Sequence, residues 1–288
     1  RLLETFDTQV DAGLVGAKLI FPDGRMQESG GIVFRDGSAW NYGRLTDPDE
    51  DRSSYLRDVD YVSGASIMLP RALLEELGGF DEAFAPCYYE DTDLAMRVRA
   101  RGRRVLVQPL AKVTHYEGIT AGTDVNEGPK RYQVINRETF FARWASTLED
   151  HGAFGEEIEL QKERTVRRRI LVVDVDGARP RLDATIDRVE RWVRRLRARD
   201  VKLTLHSPAI SESGERLDSL RARGVEALTM RWSGSLDDHL GDHGALYDEV
   251  VLVSLDDARD LADRISALCP RATVRVVGDV PVLAVAEP

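Results

Sequence analysis

The second half of the chain opens with the apolar run Ile170-Leu171-Val172-Val173, which ends at Asp174. A continuous apolar run of this length is typical of a strand that is covered on both faces of a parallel sheet. Comparable strand patterns follow at 201–205, 224–228, 250–253 and 273–277, and helical patterns lie between them at 186–196, 217–220 and 261–268. This alternation predicts a doubly wound, Rossmann-like α/β domain.

The first half shows a less regular α/β pattern with several long loops. Strands are predicted over 13–21 and 104–108, and the second of these stops at Pro109. Helices are predicted over 70–77 and 93–101. The first helix opens with a proline and is followed by two glycines, which are suited to a left-handed cap.

The charge distribution separates the two halves. Residues 1–165 contain 20 basic and 29 acidic residues, whereas residues 166–288 contain 20 and 21. A polar helical stretch lies between them and leads into three consecutive arginines, which are more typical of a solvated flank than of a nucleic-acid or lipid contact. We predict a first domain over 1–155, a linker over 156–168 and the Rossmann-like domain over 169–288.

The composition argues against several classes of protein. The 288 residues are 42% hydrophobic with a net charge of −10, as in a folded protein that does not bind nucleic acid. No apolar run approaches the roughly 18–20 residues of a membrane-spanning helix, and no signal peptide is evident. The two cysteines, Cys87 and Cys269, lie far apart and in no CxxC pair. We expect a soluble cytoplasmic protein.

The densest group of ionisable residues lies near the start of the second predicted helix. Glu90, Asp91 and Asp93 fall within four positions there. Neighbouring acids raise one another's pKa, whereas a helix N-terminus favours their charged forms, so one of the three could act as a catalytic base. From spacing alone the simpler explanation is favoured, in which Asp91 or Thr92 caps the helix and Asp93 interacts with its dipole, with no catalytic role.

Two further positions could bind a ligand. His115 follows a strand and precedes a glycine-containing loop, and a neutral ring nitrogen placed there can bind a divalent metal. Ser63, Gly64 and Ala65 form a turn inside an apolar stretch. The glycine in that turn permits close approach, either by a ligand or by a neighbouring strand.

Several catalytic motifs are missing from the sequence. It has no GxxxxGK[ST] phosphate loop, no HExxH, no GxSxG, and no GxGxxG after the opening strand of either half. The missing glycine-rich turn argues against a Rossmann-type dinucleotide oxidoreductase. Asp47 and Asp49 mimic a metal-binding DxD motif, but their charged neighbours indicate an exposed polar loop.

Six short motifs follow one another in a set order in the first half. They are Val15-Gly16-Ala17-Lys18-Leu19, Pro22-Asp23-Gly24-Arg25-Met26-Gln27, Val62-Ser63-Gly64-Ala65, Gly78-Gly79-Phe80-Asp81-Glu82-Ala83-Phe84, Tyr89-Glu90-Asp91-Thr92-Asp93-Leu94 and His115-Tyr116-Glu117-Gly118. This order resembles the C-terminal part of a family-2 glycosyltransferase of the GT-A fold, especially the rhamnosyltransferase-like members. The resemblance covers roughly residues 10–145.

The resemblance implies roles for the candidate residues. In that family a DxD motif in a preceding half holds Mg²⁺ or Mn²⁺ against the donor diphosphate, and this chain is expected to begin after that half. Asp91 matches the general base of the acceptor side, and Glu90 beside it would position the acceptor. His115 matches a residue that completes the metal shell, and the turn at 63–65 corresponds to the loop beside the acceptor and donor sugar.

The implied protein is part of an inverting, metal-dependent glycosyltransferase with an incomplete GT-A-type domain. Such an enzyme moves a hexosyl or rhamnosyl group from a nucleotide-sugar donor to a saccharide or lipid-linked acceptor. The resemblance places it in bacterial surface polysaccharide synthesis, at the inner face of the membrane and alongside a partner glycosyltransferase. The alternative is a non-catalytic module that binds a glycan or a partner and has lost the donor site.

The second half has a fainter likeness to a known class. Its segments at 169–174 and 247–254 resemble the first Rossmann-like domain of GT-B glycosyltransferases, which follows a family-2 module in some bacterial proteins. Those domains usually have a Gly-Ser pair after the first strand, where this chain has Asp183-Ala184-Thr185-Ile186-Asp187. The resemblance therefore implies a scaffold or acceptor module.

Overall fold

The computed structural model describes residues 1–116, 128–175, 200–208, 210–253 and 258–277. The chain divides into two compact units, Arg1–Arg164 and Thr165–Pro288. Each unit has its own sheet and its own hydrophobic core. No helix in the described ranges is long and apolar enough to cross a membrane.

The first unit is built on a mixed sheet. Its elements are α1 (Leu2–Thr8), β1 (Ala12–Ile20), β2 (Met26–Glu28), β3 (Gly31–Val33), β4 (Ala39–Asn41), β5 (Arg57–Asp58), β6 (Ile67–Met68), α2 (Arg71–Leu77), α3 (Glu90–Ala100), β7 (Arg104–Thr114), α4 (Tyr132–Leu148) and α5 (Ile158–Gln161). The strand order is β2-β1-β7-β5, and β6 also pairs with β1. Because β1 and β7 run parallel, their carboxyl ends lie at the same edge of the sheet.

The core strand β1 holds the turn at 63–65 in place. A Cβ at Gly16 in β1 would lie 2.4 Å from the Cβ of Val62, so any side chain at this position would displace Val62. On the other side of the turn, the Ala17 amide donates to the Ser66 carbonyl at 3.1 Å, and β6 pairs with β1. Both ends of the turn are therefore fixed to the core.

Strand β7 is longer than the sequence predicts. The predicted strand stops at Pro109, but β7 continues through it. The prediction is wrong because Pro109 falls where the register with β1 shifts, between Ala17 and Lys18, so its missing N–H removes no ladder hydrogen bond. The extra length carries His115 to the end of β1, where its amide donates to the Ile20 carbonyl at 2.9 Å.

The polar stretch at 158–164 packs on the first unit. Lys162 and Glu163 are buried, although this stretch is polar and falls within the linker predicted over 156–168. The Tyr55 hydroxyl donates to the Glu163 carboxylate at 2.6 Å, and the Lys162 ammonium donates to the Tyr42 hydroxyl at 3.0 Å. These tyrosines cover the charged side chains, so the stretch contributes to the packing of the unit.

The second unit is built on a parallel sheet. Its described elements are β8 (Arg168–Asp174), β9 (Val201–His206), α6 (Glu215–Ala222), β10 (Val225–Leu228), α7 (Met230–Ser233), α8 (Leu236–His243), β11 (Glu249–Val253), α9 (Arg259–Leu268) and β12 (Thr273–Val277). The strand order is β10-β9-β8-β11-β12, with α6 on one face and α8 and α9 on the other. The predicted parallel α/β fold is confirmed, whereas the predicted helix at 186–196 lies outside the described residues.

Candidate functional site

Asp91 lies in the first turn of α3, next to the turn at 63–65. Its Oδ2 accepts a hydrogen bond from the Gly64 amide at 2.8 Å, and its Oδ1 accepts from the Thr92 amide at 2.7 Å. The Asp91 side chain is half-buried, whereas Gly64 is exposed. Burial raises the pKa of Asp91, and the bonds from Gly64 and Thr92 offset only part of that rise.

The capping explanation for this acidic cluster is wrong for Asp91 and Thr92. Helix α3 begins at Glu90 rather than at Asp93, and its N-cap is Tyr89. Tyr89 has a φ of 71° and makes no side-chain capping hydrogen bond. Asp91 and Thr92 therefore lie inside the helix, where Asp91 gains from the helix dipole without capping the helix.

Asp93, two residues further along α3, has a structural role. Its carboxylate is fully buried and accepts from Arg97 at 2.6 Å and from Arg143 at 2.9 Å. The indole N–H of Trp144 donates to the same carboxylate at 2.9 Å. Because Arg143 and Trp144 belong to α4, Asp93 ties the two helices together.

The surface around Gly64 is open. A Cβ on Gly64 would lie 3.6 Å from the Asp91 Cβ and 4.0 Å from the Phe80 Cζ, which are ordinary van der Waals distances. Packing against a strand therefore does not require this glycine. The Phe80 side chain is 49% exposed, and within the turn the Ala65 amide donates to the Ser63 hydroxyl at 3.3 Å. A carboxylate, a glycine turn and an aromatic ring thus border one surface.

Glu90 presents a second carboxyl group beside Asp91. Its side chain is half-buried, and its buried Oε2 has no hydrogen-bond partner within the part of the chain that the structure describes. Burial raises the pKa of Glu90, and the negative charge of Asp91 raises it further. The two neighbouring carboxyl groups therefore both bind a proton more readily than exposed acids do.

Glu28 of β2 is a third acid at this site, and the sequence does not reveal it. Its side chain is 1% exposed, and its Oε1 accepts a hydrogen bond from the Ser63 amide at 2.9 Å. Burial raises the pKa of Glu28 to about 8, and the charge of Asp91 adds to this effect. Glu28 directly follows the Pro22–Gln27 motif, but nothing in so short a polar strand indicates that its side chain is buried.

The buried Glu28 makes stability dependent on pH. Because its pKa is about 8 in the folded protein and near 4.5 in an unfolded chain, the folded state binds the proton more tightly. The free energy of unfolding of the first unit should therefore fall as pH rises from 4.5 to 8, by a few kcal/mol, and level off above that. The variant Glu28→Gln, which stays neutral, should lack this loss in urea titrations at pH 5 and pH 9. The exposed Glu82→Gln is the control, and equal pH dependence of Glu28→Gln and the parent would contradict the prediction.

His115 is connected to the same site through β2. Its Nδ1 lies 3.1 Å from the Oε1 of the buried Gln27. Because an amide oxygen can only accept, this contact assigns the ring proton to Nδ1 and the lone pair to Nε2, which is the tautomer that binds metals through Nε2. Contacts therefore run from His115 through Gln27 and Glu28 to the turn at 63–65 and on to Asp91.

The described residues do not form a complete metal site. Across these ranges no group of three His, Cys, Asp or Glu side chains is placed to hold an ion. Asp49 instead pairs with Lys112, and Asp47 accepts from the Asp49 amide at 2.9 Å. His115 thus offers a single ring nitrogen, which does not make a binding site by itself.

A comparison with protein families gives the class to which the first unit is related. Residues 53–127 match the family model described as Glycosyl transferase family 21. That range includes the turn at 63–65, Asp91 and His115. Together with the relatives below, the match confirms the resemblance to family-2-like glycosyltransferases.

Three curated relatives show how far the similarity extends. The O-antigen biosynthesis protein RfbC of Myxococcus xanthus is 33% identical over 40% of this chain and 9% of its own length. The N-acetylglucosaminyl-diphospho-decaprenol L-rhamnosyltransferase of Mycobacterium tuberculosis is 28% identical over 43% of each chain. The uncharacterized protein y4gI of Sinorhizobium fredii is 30% identical over 46% of this chain and 15% of its own length. The chain therefore spans less than half of each of these relatives.

Proposed function

We propose that the first unit forms the acceptor side of a glycosyltransferase active site, with Asp91 as the general base. The observation that carries the proposal is the half-buried Asp91 carboxylate, which borders the exposed turn at Gly64. Its raised pKa makes it a better proton acceptor than an ordinary exposed carboxylate. The family match and the relatives' names support glycosyl transfer in polysaccharide synthesis.

In the proposed reaction an acceptor hydroxyl attacks the anomeric carbon of a nucleotide sugar. The new carbon–oxygen bond forms as the bond between that carbon and the diphosphate oxygen breaks, so the configuration inverts. The hydroxyl proton passes to the Asp91 carboxylate. Glu90 positions the acceptor, the turn at 63–65 borders the sugars, and the exposed ring of Phe80 packs against the C–H face of a sugar.

The substrates we propose follow from the relatives. One is named a rhamnosyltransferase that acts on N-acetylglucosaminyl-diphospho-decaprenol, and another an O-antigen biosynthesis protein. We infer a nucleotide-sugar donor with a hexosyl or rhamnosyl group and a saccharide or lipid-linked saccharide acceptor. The reaction would take place at the inner face of the membrane next to a partner glycosyltransferase, with the second unit as a Rossmann-like scaffold or acceptor module.

The test of the proposed function is a panel of radiolabelled sugar nucleotides. The full-length protein is incubated with each donor, a lipid-linked saccharide and Mn²⁺, and the labelled lipid product is measured. Transfer from one donor or a few, lost in Asp91→Asn, supports the proposal. Binding of a saccharide without transfer from any donor would favour the non-catalytic alternative.

We also propose that the reaction uses Mg²⁺ or Mn²⁺, whose charge would stabilise the departing diphosphate when the ion is bound. In this chain His115 is the residue suited to contribute a ligand, through Nε2, because Gln27 occupies Nδ1. The remaining ligands would come from outside the described residues. The metal ion has no part in the proposed proton transfer, in which Asp91 accepts the proton of the acceptor hydroxyl.

Replacing His115 with alanine should weaken the dependence on metal. We expect the rate of transfer to fall about 10- to 100-fold at limiting Mn²⁺, because one ligand of the ion is lost. The measurement is the rate as a function of Mn²⁺ concentration in the full-length protein. His243→Ala, in the second unit, is the control and should respond as the parent does. A His115→Ala variant with the parent's Mn²⁺ response would show that this histidine is structural.

A further inference from the structure

We propose that Glu28 is a positioning residue that anchors the turn at 63–65 to β2 and thereby fixes the carboxylate of Asp91. The anchoring of the turn does not depend on the proposed function. Its expected effect on the rate of transfer does rest on the proposed function. Glu28 lies behind the turn in the core and reaches Asp91 through the backbone of Ser63 and Gly64.

The geometry consists of two successive backbone amides, each bound by a carboxyl group. The Ser63 amide donates to Glu28 Oε1 at 2.9 Å, and the next amide, of Gly64, donates to Asp91 Oδ2 at 2.8 Å. The two peptide planes meet at the Cα of Ser63. A shift of the first peptide unit moves this shared Cα, from which the second unit extends, so loss of the Glu28 bond loosens the position of the Gly64 amide relative to Asp91.

The Glu28 side chain provides a rigid anchor. β2 pairs with β1, and Glu28 lies opposite Leu19 of that buried strand. The side chain is 1% exposed, so its rotamer is fixed by the surrounding core. The flanking Val62 packs on Gly16, and between the two fixed ends of the turn Glu28 binds the Ser63 amide from the core side.

The choice of an acid at this buried position needs an explanation. The Oε2 of Glu28 is buried and has no hydrogen-bond partner among the described residues, which is unfavourable for folding compared with an apolar side chain of similar size. An acceptor is nevertheless required opposite the Ser63 amide, and Glu28 Oε1 supplies it. The arrangement is therefore explained by control of the turn rather than by packing.

Control of the turn matters for Asp91 in two ways. The bond from Gly64 fixes the direction of the Asp91 carboxylate, and it also lowers the pKa of that group against the effect of burial. Without the anchor, Asp91 would sample other orientations and its pKa would rise further. Loss of the anchor would mainly impair the alignment of the Asp91 carboxylate with the acceptor hydroxyl, and it would have less effect on the affinity for the substrate.

The test compares Glu28→Leu, which removes the acceptor, with Glu28→Gln, which keeps an acceptor oxygen. Amide hydrogen exchange of Ser63 and Gly64 is measured by NMR on this chain, without any substrate. In Glu28→Leu we expect exchange at both amides to speed up about tenfold or more, whereas in Glu28→Gln it should stay within about threefold of the parent. Glu163→Leu, another buried acid of the first unit, is the matched control and should not affect these amides.

The second readout is the rate of transfer by the full-length protein. Glu28→Leu should lower kcat about tenfold or more with little change in KM and shift the pH profile to higher pH, and Glu28→Gln should restore most of the rate. Unchanged Gly64 exchange in a folded Glu28→Leu variant would overturn the proposal. Faster exchange without transfer by the parent protein would instead contradict the proposed function and leave the anchor supported.

A direct measurement covers the case in which Glu28→Leu does not fold. A through-hydrogen-bond scalar coupling between the Ser63 amide nitrogen and the Glu28 carboxyl carbon is sought in the parent chain. Its detection would support the anchor, and its absence at a well-resolved Ser63 amide would overturn it.

Discussion

The Asp91→Asn variant of the full-length protein is expected to lose transfer activity by about 10²- to 10⁴-fold, the range associated with removal of a general base. An asparagine side chain cannot take the proton of the acceptor hydroxyl. Its amide oxygen can still accept from the Gly64 amide, so the turn at 63–65 should stay in place. The measurement is kcat at saturating donor and acceptor.

Asp93→Asn provides the matched control in the same helical turn. Asp93 holds Arg97, Arg143 and the Trp144 indole from a fully buried position, so the same chemical change there should lower stability. Asp91→Asn should leave the midpoint of urea unfolding nearly unchanged. An Asp91→Asn protein that transfers sugar at the parent's rate would remove the base assignment.

The second large effect is expected at Asp60, away from the candidate site. Asp60→Ala should lower the free energy of unfolding of the first unit by about 3–5 kcal/mol, the range for breaking a buried ion pair. Asp60 is 4% exposed and accepts from Arg99 at 2.8 Å, from Arg164 at 2.8 Å and from the Val33 amide at 2.8 Å. Its removal would leave two arginines without their shared partner.

The pH dependence of this effect follows from the same contacts. Burial alone would raise the pKa of Asp60, but Arg164 and Arg99 outweigh it and hold the pKa below its ordinary value. The stabilisation is therefore present above the ordinary carboxyl pKa and is lost as pH falls through the lower folded value. Urea titrations at pH 7 and pH 3 measure it, with the exposed Asp23→Ala as control. If Asp60→Ala lowered the free energy of unfolding by the same amount at both pH values, the stabilisation would not come from the ionised Asp60 carboxylate.

The three acids at the start of α3 have different roles despite their similar positions in the sequence. Asp93 joins α3 to α4, Asp91 contacts the exposed turn, and Glu90 has a buried oxygen that no described residue contacts by a hydrogen bond. Asp93 accepts from two arginines, whereas Asp91 accepts from the uncharged amides of Gly64 and Thr92. The assignment of Asp91 as the general base therefore rests on this difference in hydrogen-bond partners.

Sequence alone was sufficient to predict the α/β class and the resemblance to family-2-like glycosyltransferases. Strands that are buried on both faces need continuous apolar runs, and those at 170–173 and 250–253 are visible without any knowledge of the fold. The motif order likewise identifies Asp91 and His115, and their roles stay predictions.

Only the tertiary structure decided which polar side chains are buried and what they contact. Glu28 meets the Ser63 amide from 35 positions away, and Asp60 meets Arg164 from 104 positions away. Local composition cannot report such contacts, because burial of a charged group becomes tolerable only when a distant part of the chain supplies its partner. For the same reason the polar composition of the predicted linker over 156–168 does not reveal that Tyr55 and Tyr42 contact Glu163 and Lys162.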